Sequence, residues 1–177
     1  MNKALFLDRD GVINVDKEYI YKPNDLHFMD GIIKLIKTAK NKYYKVICIT
    51  NQSGIARGFF TENDLQVFMT YLNQELINLI GFPLDAYYYC PHHPFGVVEE
   101  YSYVCDCRKP ATGLLEAACK DYNIDCNNSI FIGDKFTDLQ AAEKMNIKKL
   151  YFYSKTNILF QHPSYLYIND LNQVVIS

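Results

Sequence analysis

Short, wholly apolar runs alternate along the chain with longer stretches in which apolar positions recur every three or four residues. A run that is apolar at every position is typical of a strand buried on both faces, as in a parallel sheet. These runs predict five strands, at residues 4–7, 46–49, 86–89, 130–132 and 150–153.

The amphipathic stretches between these runs predict helices. In the clearest one, Leu65, Phe68 and Leu72 follow each other at three- and four-residue spacing. This stretch begins at Thr61 and has Asp64 three residues later, a pattern typical of a capping box. The predicted helices cover about 31–42, 61–80, 112–122 and 137–145. Strands that alternate with helices in this order predict a doubly wound, Rossmann-like α/β fold with a parallel sheet.

Composition and charge narrow the class of protein. The 177 residues are 49% hydrophobic, which suits one core, so we expect a single domain over residues 1–177. The formal net charge is −2 and no basic stripe is present, which disfavours nucleic acid and acidic membranes as partners. No apolar run has the length of a signal peptide core or a membrane span, so the expected location is the cytoplasm.

Polar and charged residues follow three of the predicted strands. Asp8 and Asp10 come after the first strand, Thr50 after the second, and Asp134 and Lys135 after the fourth. Each alone could be an ordinary turn residue. In an open α/β sheet, however, ligands bind beyond the carboxyl ends of the strands, where these carboxylates would repel each other without a cation. The set therefore predicts a Mg²⁺ site for phosphate chemistry, with one carboxylate as nucleophile and another handling the proton.

The same residues carry a resemblance to a known superfamily. In order along the chain, these segments are DRDGVIN (8–14), ITN (49–51), RKP (108–110) and GDKFTD (133–138). They resemble the four motifs of the haloacid dehalogenase (HAD) superfamily of Mg²⁺-dependent phosphotransferases. The resemblance implies a HAD-type sheet, and the chain is too short to include a large cap domain.

The resemblance also implies a role for each motif residue. Asp8 would be the nucleophile that forms an aspartyl-phosphate, and Asp10 would protonate the leaving oxygen and then activate water. Thr50 and Lys109 would hold the transferring phosphoryl group, and Asp138 would support Lys109 or a metal-bound water. The implied Mg²⁺ ligands are the carboxylates of Asp8 and Asp134 and the backbone carbonyl of Asp10.

Four further residues could form a second metal site. Cys90, His92, Cys105 and Cys107 offer three thiolates and an imidazole, a set that suits closed tetrahedral zinc. The spacing differs from the common C-x-x-C pattern, so a buried apolar Cys90, free loop thiols and surface histidines remain alternatives. All six cysteines of the chain are expected to be reduced or metal-bound in the cytoplasm.

A narrower resemblance concerns this cysteine-containing region. YYCPHHP (88–94) followed by VCDCRKP (104–110) is similar to the zinc loop of the D-glycero-D-manno-heptose 1,7-bisphosphate 7-phosphatases and the related histidinol-phosphate phosphatases. The resemblance implies a structural Zn²⁺ held by Cys90, His92, Cys105 and Cys107, in an insertion at about residues 90–109. His93 would be a non-ligand neighbour.

The family resemblance also implies substrate contacts in loops around the site. The implied contacts are Asp16, Lys17, Glu18, Tyr19, Asn51, Gln52, Ser53, Arg108 and Lys135. Arg57 is interpreted as a solvated loop arginine. The expected substrate is a small phosphorylated sugar, and the expected oligomeric state is a monomer.

Three functions follow from these patterns. The first is hydrolysis of the 7-phosphate of a heptose bisphosphate, in nucleotide-activated heptose synthesis such as that for lipopolysaccharide. The second is hydrolysis of histidinol phosphate. The third, a non-catalytic zinc-stabilised binding module, is disfavoured because Asp8, Asp10, Thr50, Lys109 and Asp134 are all present.

Overall fold

A six-stranded parallel sheet forms the centre of the computed structural model, which describes residues 1–156 and 161–177. The strands are β1 (Ala4–Leu7), β2 (Lys45–Asn51), β3 (Ala86–Cys90), β4 (Ile130–Gly133), β5 (Lys149–Tyr153) and β6 (Leu166–Ile168). Their order across the sheet is β3-β2-β1-β4-β5-β6. All five predicted strands are confirmed, and β6 was not predicted.

In the part of the chain that the structure describes, four α-helices connect these strands, and all four were predicted from the sequence. They are α1 (Ile32–Asn41), α2 (Glu62–Ile80), α3 (Gly113–Asp121) and α4 (Phe136–Lys144). The predicted capping box of α2 is confirmed, since the Asp64 backbone N–H donates to Thr61 Oγ1 and the Thr61 N–H donates to Asp64 Oδ2. None of the helices that the structure describes is both long and apolar enough to cross a membrane.

Two apolar clusters cover the two faces of the sheet. Along β1, Leu5 and Leu7 belong to one cluster, whereas Ala4 and Phe6 belong to the other, as the alternation of side chains along a strand requires. The first cluster includes apolar residues of α1 and α2, and the second includes residues of α3 and α4. Helices on both faces of a parallel sheet confirm the doubly wound prediction.

The strand order determines where the functional residues meet. β1 lies between β2 and β4 at the centre of the sheet, and all three run in the same direction. The segments that follow these strands therefore converge at one edge, which is where open α/β sheets bind ligands. At the sheet margin, the side chains of β3 are only partly buried except at Cys90, so the prediction of strands buried on both faces fails for this edge strand.

Candidate active site

A buried lysine lies between two carboxylates at the carboxyl end of the central strands. Lys109 Nζ is 2.8 Å from Asp8 Oδ1 and 2.7 Å from Asp138 Oδ1, and it donates to the carbonyl oxygen of Ile49 at 2.6 Å. Burial alone would lower the pKa of Lys109, but Asp138 and Asp8 outweigh that effect and raise it above its usual value. Lys109 therefore carries a positive charge next to Asp8.

The backbone of Lys109 is held by Asn51 at the end of β2. Asn51 Nδ2 donates to the Lys109 carbonyl oxygen at 3.1 Å, and Asn51 Oδ1 accepts the Lys109 N–H at 3.0 Å. Asn51 was predicted as a substrate contact. Its side-chain amide makes two hydrogen bonds to the Lys109 backbone and so also positions the lysine, while the substrate contact stays a prediction.

Asp8 and Asp134 form a carboxylate pair that suits a cation. Burial raises the pKa of Asp8 to about 6, although Lys109 opposes the effect, and burial and Asp8 raise the pKa of Asp134 to about 7. Asp134 Oδ1 is buried and has no hydrogen-bond partner among the described residues. Carboxylate oxygens of Asp8, Asp134 and Asp138 lie within 4.8 Å of one another. An all-oxygen donor set with an unused buried oxygen fits Mg²⁺, which the sequence predicted here.

Gly11 makes room for this carboxylate pair. It has a φ of +88°, and a Cβ at this position would lie 2.3 Å from Asp134 Oδ2. Both the left-handed backbone and the lack of space require glycine at this turn. The loop that follows β1 can therefore pass directly against Asp134.

Asp10 is held by an arginine that the sequence analysis did not assign. Arg9 is fully buried, and its Nε and Nη2 donate to both carboxylate oxygens of Asp10 at 2.8–3.1 Å. Asn14 Nδ2 and Gln52 Nε2 donate to the same carboxylate at 3.0 and 2.9 Å. Burial would raise the pKa of Asp10, but Arg9 and these two amides outweigh it and hold the pKa below its usual value.

Strand alternation was the signal that could have identified Arg9. Two residues apart along β1, Leu5 and Leu7 belong to the apolar cluster that includes Phe68, and Arg9 continues this series toward the same cluster. A buried arginine requires a partner. Arg9 finds its partners in Asp10 and in the Ile20 carbonyl oxygen at 2.8 Å, and its guanidinium lies 4.9 Å from the centre of the Phe68 ring.

Thr50 and Gln52 form a buried pair beside Asp10. Gln52 Nε2 donates to Thr50 Oγ1 at 2.8 Å, and both residues are almost inaccessible to solvent. Thr50 lies where the resemblance implies a phosphoryl-binding hydroxyl. Gln52, predicted as a substrate contact, uses its amide N–H groups on Thr50 and Asp10.

Most of the predicted substrate contacts line one cleft of about 250 Å³ next to Asp10. Lys135 and Asp16 face each other across it, with Lys135 Nζ 3.7 Å from Asp16 Oδ2. The lining residues are Asp10, Asp16, Glu18, Tyr19, Asn51, Gln52, Ser53, Gly54 and Lys135. Of the predicted contacts, Lys17 and Arg108 are outside this lining, and Arg108 instead lines a neighbouring cavity that also includes Lys109.

The structure brings the four predicted zinc ligands together. Cys90 Sγ is 3.5 Å from Cys105 Sγ, Cys105 Sγ is 3.3 Å from Cys107 Sγ, and His92 Nδ1 is 3.3 Å from Cys107 Sγ. Thiolates bound at ~2.3 Å in a tetrahedron lie about 3.8 Å apart, so a modest expansion would admit Zn²⁺. Tyr103, which the sequence analysis did not assign, places its hydroxyl 2.6 Å from His92 Nε2, where it can orient the ring.

Arg57 does not behave as the solvated loop arginine that was predicted. It is half-buried, its Nη2 lies 3.2 Å from His93 Nε2, and its Nε is buried without a hydrogen-bond partner in the described part of the chain. The contact joins the loop after β2 to the loop that contains the zinc ligands.

Comparison with known proteins identifies the family. Residues 4–167 match the family model described as polynucleotide kinase 3 phosphatase. The D-glycero-beta-D-manno-heptose-1,7-bisphosphate 7-phosphatase of Haemophilus ducreyi is 45% identical over 146 residues, which are 82% of this chain and 80% of the relative. The chain belongs to this family of heptose bisphosphate phosphatases. It is therefore a phosphoric monoester hydrolase, and the non-catalytic binding module is set aside.

Solved structures confirm that this heptose bisphosphate phosphatase has the HAD-type fold. A HAD-like phosphatase from Mesorhizobium loti superposes with a TM-score of 0.86 at 31% identity, over 97% of this chain and 81% of that one. A D,D-heptose 1,7-bisphosphate phosphatase from B. bronchiseptica, solved with magnesium and phosphate, gives 0.79 at 27% identity, over 96% and 93%. The high coverage of both chains agrees with the absence of a large cap.

Proposed function

We propose that this phosphatase removes the 7-phosphate of D-glycero-β-D-manno-heptose 1,7-bisphosphate through an aspartyl-phosphate on Asp8, in the presence of Mg²⁺. The observation that carries the proposal is the buried Lys109–Asp8 ion pair beside Asp134 Oδ1, which has no hydrogen-bond partner in residues 1–156 and 161–177. The substrate follows from the names of the relatives, which specify the beta anomer. The product would keep its anomeric phosphate, which suits it to a later nucleotidyl transfer.

The Mg²⁺ site would consist of the carboxylates of Asp8 and Asp134 with the Asp10 carbonyl oxygen. The raised pKa values of the two carboxyls and the unused Asp134 oxygen support a cation at this place. When bound, Mg²⁺ would neutralise charge on the phosphate and keep both carboxylates ionised.

In the first half of the reaction, a carboxylate oxygen of Asp8 attacks phosphorus. The bond between phosphorus and the sugar oxygen breaks, and Asp10 gives its proton to that oxygen. The ammonium of Lys109 and the hydroxyl of Thr50 hold the equatorial oxygens of the transferring group. Phosphoryl transfer depends on this positioning and charge neutralisation more than on unusual chemistry.

In the second half, a water molecule attacks the phosphorus of the aspartyl-phosphate, and Asp10 accepts its proton. The pKa of Asp10 is held below its usual value, mainly by Arg9 against the effect of burial, so the carboxylate is ionised and has a free site for this proton. The acid step needs a protonated Asp10, and the approach of a negatively charged phosphate raises the pKa of a neighbouring carboxyl in the required direction.

We further propose that residues 1–177 act as one catalytic domain in which residues 90–109 form a zinc-bound insertion. Zn²⁺ held by Cys90, His92, Cys105 and Cys107 would leave no ligand position for substrate, so its role is structural. Cys107 is only two residues from Lys109, so the metal would hold the loop that presents the lysine.

A phosphate-release assay tests the substrate assignment. The substrates are both anomers of heptose 1,7-bisphosphate, fructose 1,6-bisphosphate and histidinol phosphate, each with Mg²⁺. We expect kcat/KM to be highest for the β-heptose bisphosphate, at least ~10-fold above histidinol phosphate. Equal or reversed values would overturn the assignment and favour the histidinol-phosphate alternative.

The nucleophile is tested by Asp8→Asn. This change keeps the size of the side chain and removes the attacking oxygen anion, so we expect kcat to fall by about 10³-fold or more. The melting temperature should not fall in parallel, because the amide relieves repulsion with Asp134. Unchanged turnover in a folded Asp8→Asn protein would exclude a covalent intermediate on this residue.

A further inference from the structure

Two thiols lie against each other outside the cluster of predicted zinc ligands. Cys119 Sγ, near the end of α3, is 3.1 Å from Cys126 Sγ, in the single turn Cys126–Asn128 that precedes β4. Both are free, half-buried thiols that pack against the apolar cluster with residues of α3 and α4. The proposed phosphatase mechanism makes no use of this thiol pair.

Backbone hydrogen bonds hold the thiol pair in place. After α3 the chain turns back, and the Ile124 N–H donates to the Cys119 carbonyl oxygen at 2.9 Å. The Ser129 N–H donates to the Cys126 carbonyl oxygen at 3.1 Å. Ser129 Oγ accepts the Ala4 N–H at 3.0 Å, which joins this segment to β1. The folded chain therefore presents the two sulfurs as a preformed pair.

The separation of the two sulfurs suits a disulfide. The sulfurs of a disulfide lie ~2.0 Å apart, so small rotations of the two side chains, which bring the sulfurs about 1 Å closer, would allow the bond. Two thiols held side by side also react with each other much faster than with a thiol from solution. An internal disulfide is therefore favoured over a lasting mixed disulfide with a small molecule.

The other cysteines of the chain are less available to an oxidant. Cys48 lies in β2 and its side chain is completely buried. Three further cysteines belong to the cluster that suits Zn²⁺, where a bound metal would occupy their sulfurs. These three are Cys90, Cys105 and Cys107. Because oxidation of a thiol requires access, Cys119 and Cys126 are the two of the six cysteines left open to it.

We propose that Cys119 and Cys126 form a reversible redox site, in which a low-molecular-weight disulfide oxidises the two thiols to one disulfide within the chain. The Cys126 thiolate attacks one sulfur of the small disulfide, which leaves a mixed disulfide on Cys126 and releases a small thiolate. Cys119 then loses its proton and attacks the Cys126 sulfur, which releases the second small thiolate. The protein thiols lose two electrons, and their two protons end on the two small thiols.

The order of the two steps follows from the surroundings of Cys119. Burial and the contact with Cys126 raise the pKa of the Cys119 thiol above its usual value. A raised pKa disfavours Cys119 as the first nucleophile, since the thiolate is the reactive form. Cys119 is therefore the residue that resolves the mixed disulfide.

The disulfide would tie the end of α3 to the segment before β4. This segment lies at the amino end of β4, whereas Asp134 and the active site lie beyond the carboxyl end. Oxidation should therefore stabilise the fold and leave the phosphatase site intact. The proposal stands or falls independently of the proposed function, because its test does not measure turnover.

The test equilibrates the zinc-loaded wild-type protein with mixtures of glutathione disulfide and reduced glutathione. Free thiols are then alkylated under denaturing conditions, and mass spectrometry maps the modified peptides. We expect one internal disulfide that joins Cys119 to Cys126, with the other cysteines alkylated. The melting temperature should rise by ~5 °C and return to its first value in excess reduced glutathione.

Two variants separate the steps. Cys119→Ser lacks the resolving thiol, so a mixed disulfide with glutathione should accumulate on Cys126 without a rise in melting temperature. Cys48→Ala keeps the thiol pair and is the matched control, in which the same internal disulfide should form as in the wild type.

Three results would overturn the redox site. The first is a wild-type protein that keeps both thiols free in the most oxidising mixture. The second is a lasting mixed disulfide on wild-type Cys126, which would show that Cys119 does not resolve it. The third is oxidation of the zinc-cluster cysteines before the Cys119–Cys126 pair.

Discussion

The guanidinium of Arg9 binds both carboxylate oxygens of Asp10, with Nη2 2.8 Å from Oδ2 and Nε 3.1 Å from Oδ1. Arg9 itself is buried against Phe68 in the apolar cluster that covers one face of the sheet. The orientation of the proposed acid–base residue is therefore set by packing in the protein core. Arg9 thus holds the Asp10 carboxylate at a fixed angle and leaves the carboxylate of Asp8, the proposed nucleophile, free to react.

Arg9→Lys should separate the two roles proposed for Asp10. Lysine keeps the charge but loses the fork, so kcat with a sugar phosphate should fall by about 10²-fold. With p-nitrophenyl phosphate, whose leaving group needs no proton, the rapid formation of phosphoenzyme should be nearly normal while its hydrolysis is slow. Rapid-quench measurement of both phases checks this prediction. A loss of equal size in both phases, or a collapse of the melting temperature, would indicate a structural role for Arg9 alone.

Gly11→Ala should weaken the response to Mg²⁺. The new methyl group would overlap Asp134 Oδ2 and displace this carboxylate, so the Mg²⁺ concentration for half-maximal activity should rise by ~10-fold or more. Gly81→Ala is the matched control, because Gly81 also has positive φ but no atom of the described part of the chain lies within 4 Å of the added carbon. Both variants should lose ~1 kcal/mol of stability from backbone strain. An equal shift of the half-maximal Mg²⁺ concentration in both variants would show that the methyl group at position 11 does not act through Asp134.

Cys107→Ser should remove bound zinc and lower activity, although the proposed role of Cys107 involves no direct contact with the substrate. Loss of a ligand destabilises the loop, so the melting temperature should fall and misplacement of Lys109 should reduce kcat by ~10–100-fold. Cys126→Ser is the control, since Cys126 lies outside the four-residue cluster. Metal analysis, thermal melting and kinetics check the prediction. Full activity in a zinc-free Cys107→Ser protein would refute the positioning role.

Without divalent metal, the protein should become less stable as the pH rises from about 4 to about 7. The pKa values of Asp8 and Asp134 are raised to about 6 and about 7, so the folded state keeps protons that the unfolded state has already lost. The stability gained from these protons is complete below pH ~4 and disappears above pH ~7.

This pH dependence can be measured by melting the chelated protein at about pH 5 and about pH 7.5. We expect a lower melting temperature at the higher pH, with Mg²⁺ restoring stability mainly there because it replaces the lost protons. Asp134→Asn should flatten the pH dependence of the melting temperature. A melting temperature that rises over this interval would show that the carboxylate pair does not have the raised pKa values.

Much of the fold was predictable because hydrophobic periodicity is a local property of the sequence. The runs that form β1 and β4 are buried at every position, as their apolar sequences indicate. The three-residue β6, with partly exposed residues, is too short and mixed to produce such a pattern. Its existence depends on pairing with β5, a tertiary interaction that the sequence does not display.

The site was predictable where motif residues follow strands, and unpredictable where side chains bind each other. Asp8, Asp134 and Lys109 meet as expected, because the strand order brings their segments to one edge. The engagement of Asn51 with the Lys109 backbone is a contact between positions 58 residues apart, and residue type alone does not reveal it. The same holds for the pairing of Arg57 with His93.

The proposed enzyme releases one particular phosphate from a sugar bisphosphate. Phosphorus NMR of wild-type protein with Mg²⁺ and β-heptose 1,7-bisphosphate measures this directly, since the two phosphate groups give separate signals. We expect the 7-phosphate signal to be replaced by that of inorganic phosphate while the anomeric phosphate signal persists. Loss of the anomeric phosphate first, or no release from the bisphosphate, would contradict this expectation.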